Sequence, residues 1–224
     1  MTEIREVTET DAPECGRIIY EAFASIAAEH NFLPDFPSVE VATGLASMLI
    51  AHPGVYGVVA EDNGRVIGSN FMDLRSTIAG IGPITVDPAI QNRGTGRRLM
   101  QAVMTKAEER GHAGIRLVQA AYHNRSLSLY TRLGFVTREP LSVLQGPAIG
   151  LSFLGYEVRP ATNADLPACN ALHRVVHGFD RGEDLSDAIR EEKARVVEHL
   201  GRITGYAAEI SPMRLAKRTR ISKR

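Results

Sequence analysis

The residues best able to do chemistry are QNRGTGRR at 91–98 and NRSLSLYTRLGF at 124–135. Gly94 and Gly96 stand one residue apart, flanked by Arg93, Arg97 and Arg98, between the apolar run 81–86 and a stretch of helix formers. A helix starting at such a loop exposes unpaired backbone N–H groups and a partial positive charge, and glycine lets the chain approach a ligand closely. That is the chemistry of an anion cradle. Two phosphate loops are excluded by reading. A dinucleotide fingerprint needs a third glycine at Leu99, and a P-loop needs Gly-Lys-Ser/Thr where Gly96, Arg97 and Arg98 stand. A glycine turn between strand and helix serves structure equally well, so the loop alone leaves both readings open. Tyr130 is the second chemical group, a phenol that is protonated at neutral pH and can donate. Its spacing from Leu127 and Leu133 also suits packing on one helix face.

The surrounding pattern predicts the elements that position these groups. IREV at 4–7 reads as a strand, and Asp11 opens a helix with Pro13 in its first turn. Cys15, Ile18, Ile19, Ala22, Phe23 and Ile26 recur at helical spacing and mark its buried face. HNFLPDFPS at 30–38 is a loop, followed by a helix over 39–51. Two β-rich runs, 54–61 and 65–74, flank Asp62-Asn63-Gly64, a strong hairpin signal. A strand over 78–86 leads into the glycine loop, and a helix over 98–110 ends at Gly111. A strand at 114–120 and a helix over 124–133 come next, with Asn124 a favoured cap and Gly134 its stop. Short strands at 135–137 and 141–144 complete the set. Strands alternating with helices in this order make an α/β fold, a mixed central sheet with helices on both faces.

The chain then begins again. Val158 aligns with Ile4, Arg159 with Arg5, Thr162 with Thr8, Asp165 with Asp11, Pro167 with Pro13 and Cys169 with Cys15, all at an offset of 154. NGRVIG at 63–68 resembles LGRITG at 200–205 at an offset of 137. The sequence therefore predicts a first domain over 1–150 and a partial repeat of its N-terminal half over 151–224. At that offset a second glycine loop would fall beyond residue 224, so the first copy carries the chemistry.

Bulk properties narrow the class. The 224 residues are 44% hydrophobic and 23% charged, with two cysteines that show neither disulfide-framework nor metal-ligand spacing. No metal is expected. No apolar run approaches a membrane span, and the N-terminus lacks a signal-peptide pattern, so a soluble cytoplasmic protein is expected. The net charge of zero hides a basic tail: residues 211–224 carry six Arg or Lys and no acid, leaving a net of −6 on the rest. Without aromatic interleaving that tail argues against a nucleic-acid partner and for a solvated terminus or an out-of-frame reading.

Three motifs in order carry a resemblance. ITVDP at 84–88, the pattern Gln/Arg-x-x-Gly-x-Gly/Ala at Gln91, Gly94 and Gly96, and Asn124 through Tyr130 to Gly134-Phe135 together resemble the GCN5-related N-acetyltransferase (GNAT) superfamily. The match covers roughly residues 3–145. It implies the GNAT fold, with strands ending at Val86 and Val118 that splay apart to admit the pantetheine arm of acetyl-CoA. Backbone groups of Ile84, Thr85 and Val86 would line that arm. Gln91, Asn92, Arg93, Gly94, Thr95, Gly96 and Arg97 would hold the pyrophosphate, and Asn124 would sit by the cofactor arm. The implied activity is acetyl transfer to a primary amine of a small molecule, peptide or protein. Val86 would offer an oxyanion N–H and Tyr130 would act as the acid toward the leaving thiolate. Asp73, Glu29, His30, His123 and Asp87 remain alternative bases, beside ordered water. Phe32 and Phe36 could wall the acceptor pocket or cover the core. The alternative class is a non-catalytic acyl-CoA-binding or interaction module; a homodimer is compatible with either.

Overall fold

In the computed structural model, residues 2–142, 147 and 150–208 are described. The chain divides into two compact units, one of residues 1–74 with 78–140, the other of 75–77 with 141–224.

The first unit opens with β1 (Glu3–Glu6), a single 3-10 turn (Glu9–Asp11) and α1 (Ala12–Glu29), then α2 (Val39–Ala51). Strands β2 (Val55–Asp62), β3 (Arg65–Asp73) and β4 (Ile78–Val86) follow, then α3 (Thr95–Glu109), β5 (Gly114–Leu117) and α4 (Asn124–Arg132). The sheet runs β1-β2-β3-β4-β5, antiparallel throughout except for the parallel β4–β5 pair. Asn63 and Gly64 take positive φ in the β2–β3 turn, the geometry expected of Asn-Gly in a two-residue hairpin.

Alternation along β3 assigns the layers. Gly68, Asn70 and Met72 face α3: an added Cβ at Gly68 would lie 3.2 Å from Leu99, and Asn70 Nδ2 donates to the Leu99 carbonyl at 3.3 Å. Ser69 faces the other way, toward Cys15 of α1. Helices thus cover both faces, and Phe71, Met72, Leu99, Met100 and Val103 are fully buried between them. On α1 the expected face is buried at Cys15, Ile18 and Ile19, whereas Ala22, Phe23 and Ile26 are half-buried. Cys15 is sealed in this core, and burial pushes its thiol up to about 12.

The entry to α1 is locked by charge. The Asp11 carboxylate accepts from both Arg5 guanidinium nitrogens at 2.8 and 2.9 Å, from the Thr8 amide at 2.8 Å and from the Thr8 hydroxyl at 2.9 Å. Arg5 also reaches Glu61 on β2 at 2.8 Å. Hydrogen bonds from Arg5, opposed by burial and joined by those from Thr8, hold the Asp11 carboxyl down to about 2.

The second unit holds a three-stranded antiparallel sheet, β6 (Tyr156–Pro160), β7 (Ala194–His199) and β8 (Arg202–Ala208), with α5 (Leu166–His177) and α6 (Glu183–Arg190). Its core is Cys169, Leu185, Ala188, Ile189, Ala194 and Val196. The local devices of the first unit recur: Arg159 binds Asp165 at 2.7 Å and Glu198 at 3.1 Å, and Thr162 forms the matching capping box. The β7–β8 ladder slips at Val197/Glu198, as β2–β3 slips at Ala60/Glu61.

Three expectations need correction. Residues 135–137 form no strand: β5 is the last strand paired in this sheet, Val136 is exposed, and β propensity without a ladder partner leaves coil. β5 stops at Leu117 instead of continuing to 120, because β4 leaves it after the Ile81–Leu117 pair. α3 starts at Thr95, three residues early, since the left-handed Gly94 is its cap. Of the strand expected at 141–144, residues 143 and 144 lie outside the described residues, as does the basic tail 211–224.

Candidate active site

The site begins where β4 and β5 part. They pair from Ile78–Gly114 to Ile81–Leu117, and no described strand pairs with Ile84–Val86 on that side. The direction of the amides there follows from the ladder with β3. The Asp87 amide donates to the Ile67 carbonyl at 2.9 Å, and Val86, Thr85 and Ile84 stand opposite Gly68, Ser69 and Asn70. Antiparallel pairs alternate, so Ile84 and Val86 turn their N–H and C=O groups away from β3 and into the split, while Thr85 turns toward β3. Gln91 Nε2 takes one of these, donating to the Val86 carbonyl at 2.9 Å. A strand edge left with polar groups between two diverging strands has to be satisfied by water or a ligand.

Beyond Val86 the chain turns tightly. Asp87 caps a short 3-10 turn (Pro88–Ile90), accepting from the Ala89 amide at 3.0 Å, and binds Arg17 at 3.0 Å and Arg65 at 3.1 Å. Burial raises this carboxyl, but the Ala89 amide and the two arginines outweigh it and the net direction is down. Asp87 is thereby an anchor for the loop and is removed from the candidate bases.

Asn92 and Gly94 both take left-handed backbone, with φ of 68° and 83°. The first helical bond of α3 is Arg98 N–H to the Gly94 carbonyl at 3.2 Å, which leaves the Thr95, Gly96 and Arg97 amides at the open end of the helix. Arg93 and Arg97 are exposed beside them. Arg98 is exposed as well, with its Nη1 donating to the Thr2 carbonyl at 2.7 Å. An added Cβ at Gly96 would meet Leu129 at 3.5 Å and Val86 at 3.8 Å, so this bare position sits between the end of β4 and α4.

α4 carries the other half. Its cap is His123, not Asn124: the imidazole Nδ1 accepts from the Ser126 amide at 3.4 Å, and Asn124 is the first helical residue, exposed. Burial and then the Arg125 charge push the His123 imidazole down, so it is neutral at pH 7 with its proton on Nε2. Tyr130 is 8% exposed and packs by Phe135, ring centroids 6.0 Å apart. Burial raises its phenol, against a hydrogen bond with Ser126, and it stays protonated. Tyr130 is thus a core residue that keeps its phenolic proton.

Among the other candidate bases, Asp73 closes β3 opposite Gly80, and Glu29 ends α1. His30 donates from Nδ1 to the Ile26 carbonyl at 3.0 Å. Phe36 is buried against Phe23, while Phe32 is 58% exposed, so only Phe32 remains available as a wall. Among the described residues no cluster of three or more His, Cys, Asp or Glu is placed to hold a metal, and no helix is long and apolar enough to cross a membrane.

A splayed β4–β5 pair, a left-handed glycine cap and a tyrosine on the following helix make up the site, and the acetyltransferase (GNAT) family model matches residues 19–135. The chain belongs to the GNAT acetyltransferase family. Solved structures share the fold. The ribosomal-protein-S18-alanine N-acetyltransferase from Escherichia coli is 22% identical, with a TM-score of 0.53 over 66% of this chain and 86% of that one. A predicted acetyltransferase from Clostridium acetobutylicum with acetyl-CoA is 15% identical, with a TM-score of 0.51 over 65% and 96%. The aminoglycoside N-acetyltransferase AAC(6')-Iy in complex with CoA is 13% identical, with a TM-score of 0.53 over 65% and 95%. No curated protein matches the sequence.

Proposed function

We propose that this GNAT acetyltransferase uses acetyl-CoA to acetylate a primary amine by direct attack on the thioester. One observation carries the reading: the cleft-facing amides of Ile84 and Val86 continue into the open amides at 95–97, a track of donors from strand edge to helix end. Asn92, Arg93, Gly94, Thr95, Gly96 and Arg97 would hold the pyrophosphate, chiefly by backbone N–H groups and the helix dipole. Gln91 acts through Val86, whose carbonyl it holds. Asn124, exposed at the start of α4, would border the cofactor arm.

Bound acetyl-CoA supplies an activated acyl carbon. The cleft-facing N–H of Val86 would stabilise the oxyanion, with that of Ile84 beside the cofactor arm and farther from the phosphate loop. Tyr130 holds the proton for the departing sulfur, a role typically worth about 10²–10⁴-fold. The tandem architecture enters this reading too: residues 151–224 are taken as a second, partial copy of the first half, on the strength of the duplicated Arg159–Asp165–Glu198 lock.

The test is a calorimetric titration with acetyl-CoA, comparing wild type with Gly94→Glu. Wild type binds and Gly94→Glu, which sets a carboxylate in the cradle, does not. Binding without thiol release on any amine would point to the non-catalytic module, and absence of binding overturns the reading.

A further inference from the structure

The α1–α2 loop and the segment joining β5 to α4 meet through aromatic rings. Tyr122 stacks with Phe32 at 4.5 Å between centroids and 18° between planes, and with His30 at 5.0 Å and 26°. Phe32 is 58% exposed and Leu33 81%, so this stack presents apolar surface to solvent. Carboxylates act on it: after burial, the Asp35 charge is what raises the Tyr122 phenol, and Glu29, the residue before His30, acts on the neighbouring His123 more weakly than Arg125 does. Arg125 is the opposing cation.

The position of the stack is as informative as its composition. α1 packs on the face of β3 opposite to α3. The loop after α1 thus continues from the face of the sheet that α3 does not cover. An acyl acceptor has to enter from the side the cofactor leaves open.

We propose that Phe32, Tyr122 and His30, with Asp35 and Glu29 beside them, form an acceptor subsite for a second cationic group, so that the preferred acceptors are diamine-like. Ring faces attract a cation, and nearby carboxylates strengthen that attraction. This rests on the acetyl-transfer reading for its location; the binding chemistry can be measured apart from it.

The experiment is an NMR titration of the full chain, with and without CoA, following aromatic ring signals. The probes are 1,5-diaminopentane, n-pentylamine and phenethylamine. Diaminopentane should bind about 3- to 30-fold more tightly than pentylamine. Phe32→Leu and Asp35→Asn should each shrink that preference and leave acetyl-CoA affinity unchanged. Equal binding of the two alkylamines, undetectable diaminopentane binding, or a preference that survives Phe32→Leu overturns the proposal. Tightest binding by phenethylamine overturns it also, in favour of simple ring stacking. Failure of acetyl-CoA to bind would defeat the acetyl-transfer reading alone, since the diamine preference is read in the free protein.

Discussion

Replacing Gly96 by alanine separates the two uses of glycine in the loop. Gly96 is the second residue of α3, where an added methyl would meet Leu129 and Val86 at 3.5 and 3.8 Å, ordinary contact distances. The fold therefore tolerates it, and alanine's better helix propensity should add up to about 1 kcal/mol of stability. For a domain of this size that raises the unfolding midpoint by about 2–4 °C. The same methyl enters the space between β4 and α4, next to the open amides. Displacing an anion from one charge-assisted amide bond costs about 1.5–3 kcal/mol, or roughly 10- to 150-fold in Kd. Gly94→Ala is the control, because its left-handed backbone makes a side chain cost about 1–2 kcal/mol with or without ligand. Thermal unfolding and acetyl-CoA calorimetry on both variants decide the matter. A Gly96→Ala protein that is more stable and binds acetyl-CoA like wild type would refute close approach of the anion at Gly96, leaving Gly94→Glu to test the cradle itself.

Tyr130→Phe should keep acetyl-CoA affinity and lower kcat by about 10²-fold or more, measured by thiol release; unchanged turnover would return Tyr130 to the core alone. Asp11→Asn should destabilise the fold by about 2 kcal/mol at pH 7 in urea denaturation. The folded Asp11 carboxyl lies below its unfolded value, so this contribution is present above about pH 4 and fades as pH falls through about 2. The gap between variant and wild type should therefore close in acid. Cys15 and Cys169 are both fully buried, their thiols pushed up to about 12 and about 11. Neither should react with a thiol reagent until the chain unfolds, and rapid labelling of the native protein would contradict the packing described.

The sequence by itself determined what local rules govern. Asn63-Gly64 set the hairpin, Gly94 and Gly96 set a strand-loop-helix with open amides, and hydrophobic period placed Cys15, Ile18 and Ile19 inside. The ordered motifs were enough to point to the family. Tertiary structure decided the rest. Propensity put the α4 cap at Asn124, a better cap than histidine, yet the chain caps with His123 because its imidazole is half-buried against the Ser126 amide. Gln91 is placed in the loop by the motif, but that its side chain holds the Val86 carbonyl is visible only in the fold. Arg98, one of the three arginines flanking the glycine loop, reaches the Thr2 carbonyl at the other end of the unit's sequence. Phe32 and Phe36 were indistinguishable in one loop, and only the fold made one core and the other surface. The physical reason is range: backbone propensities act over a few residues, whereas a side chain's partner lies wherever the sheet and helices bring the chain back.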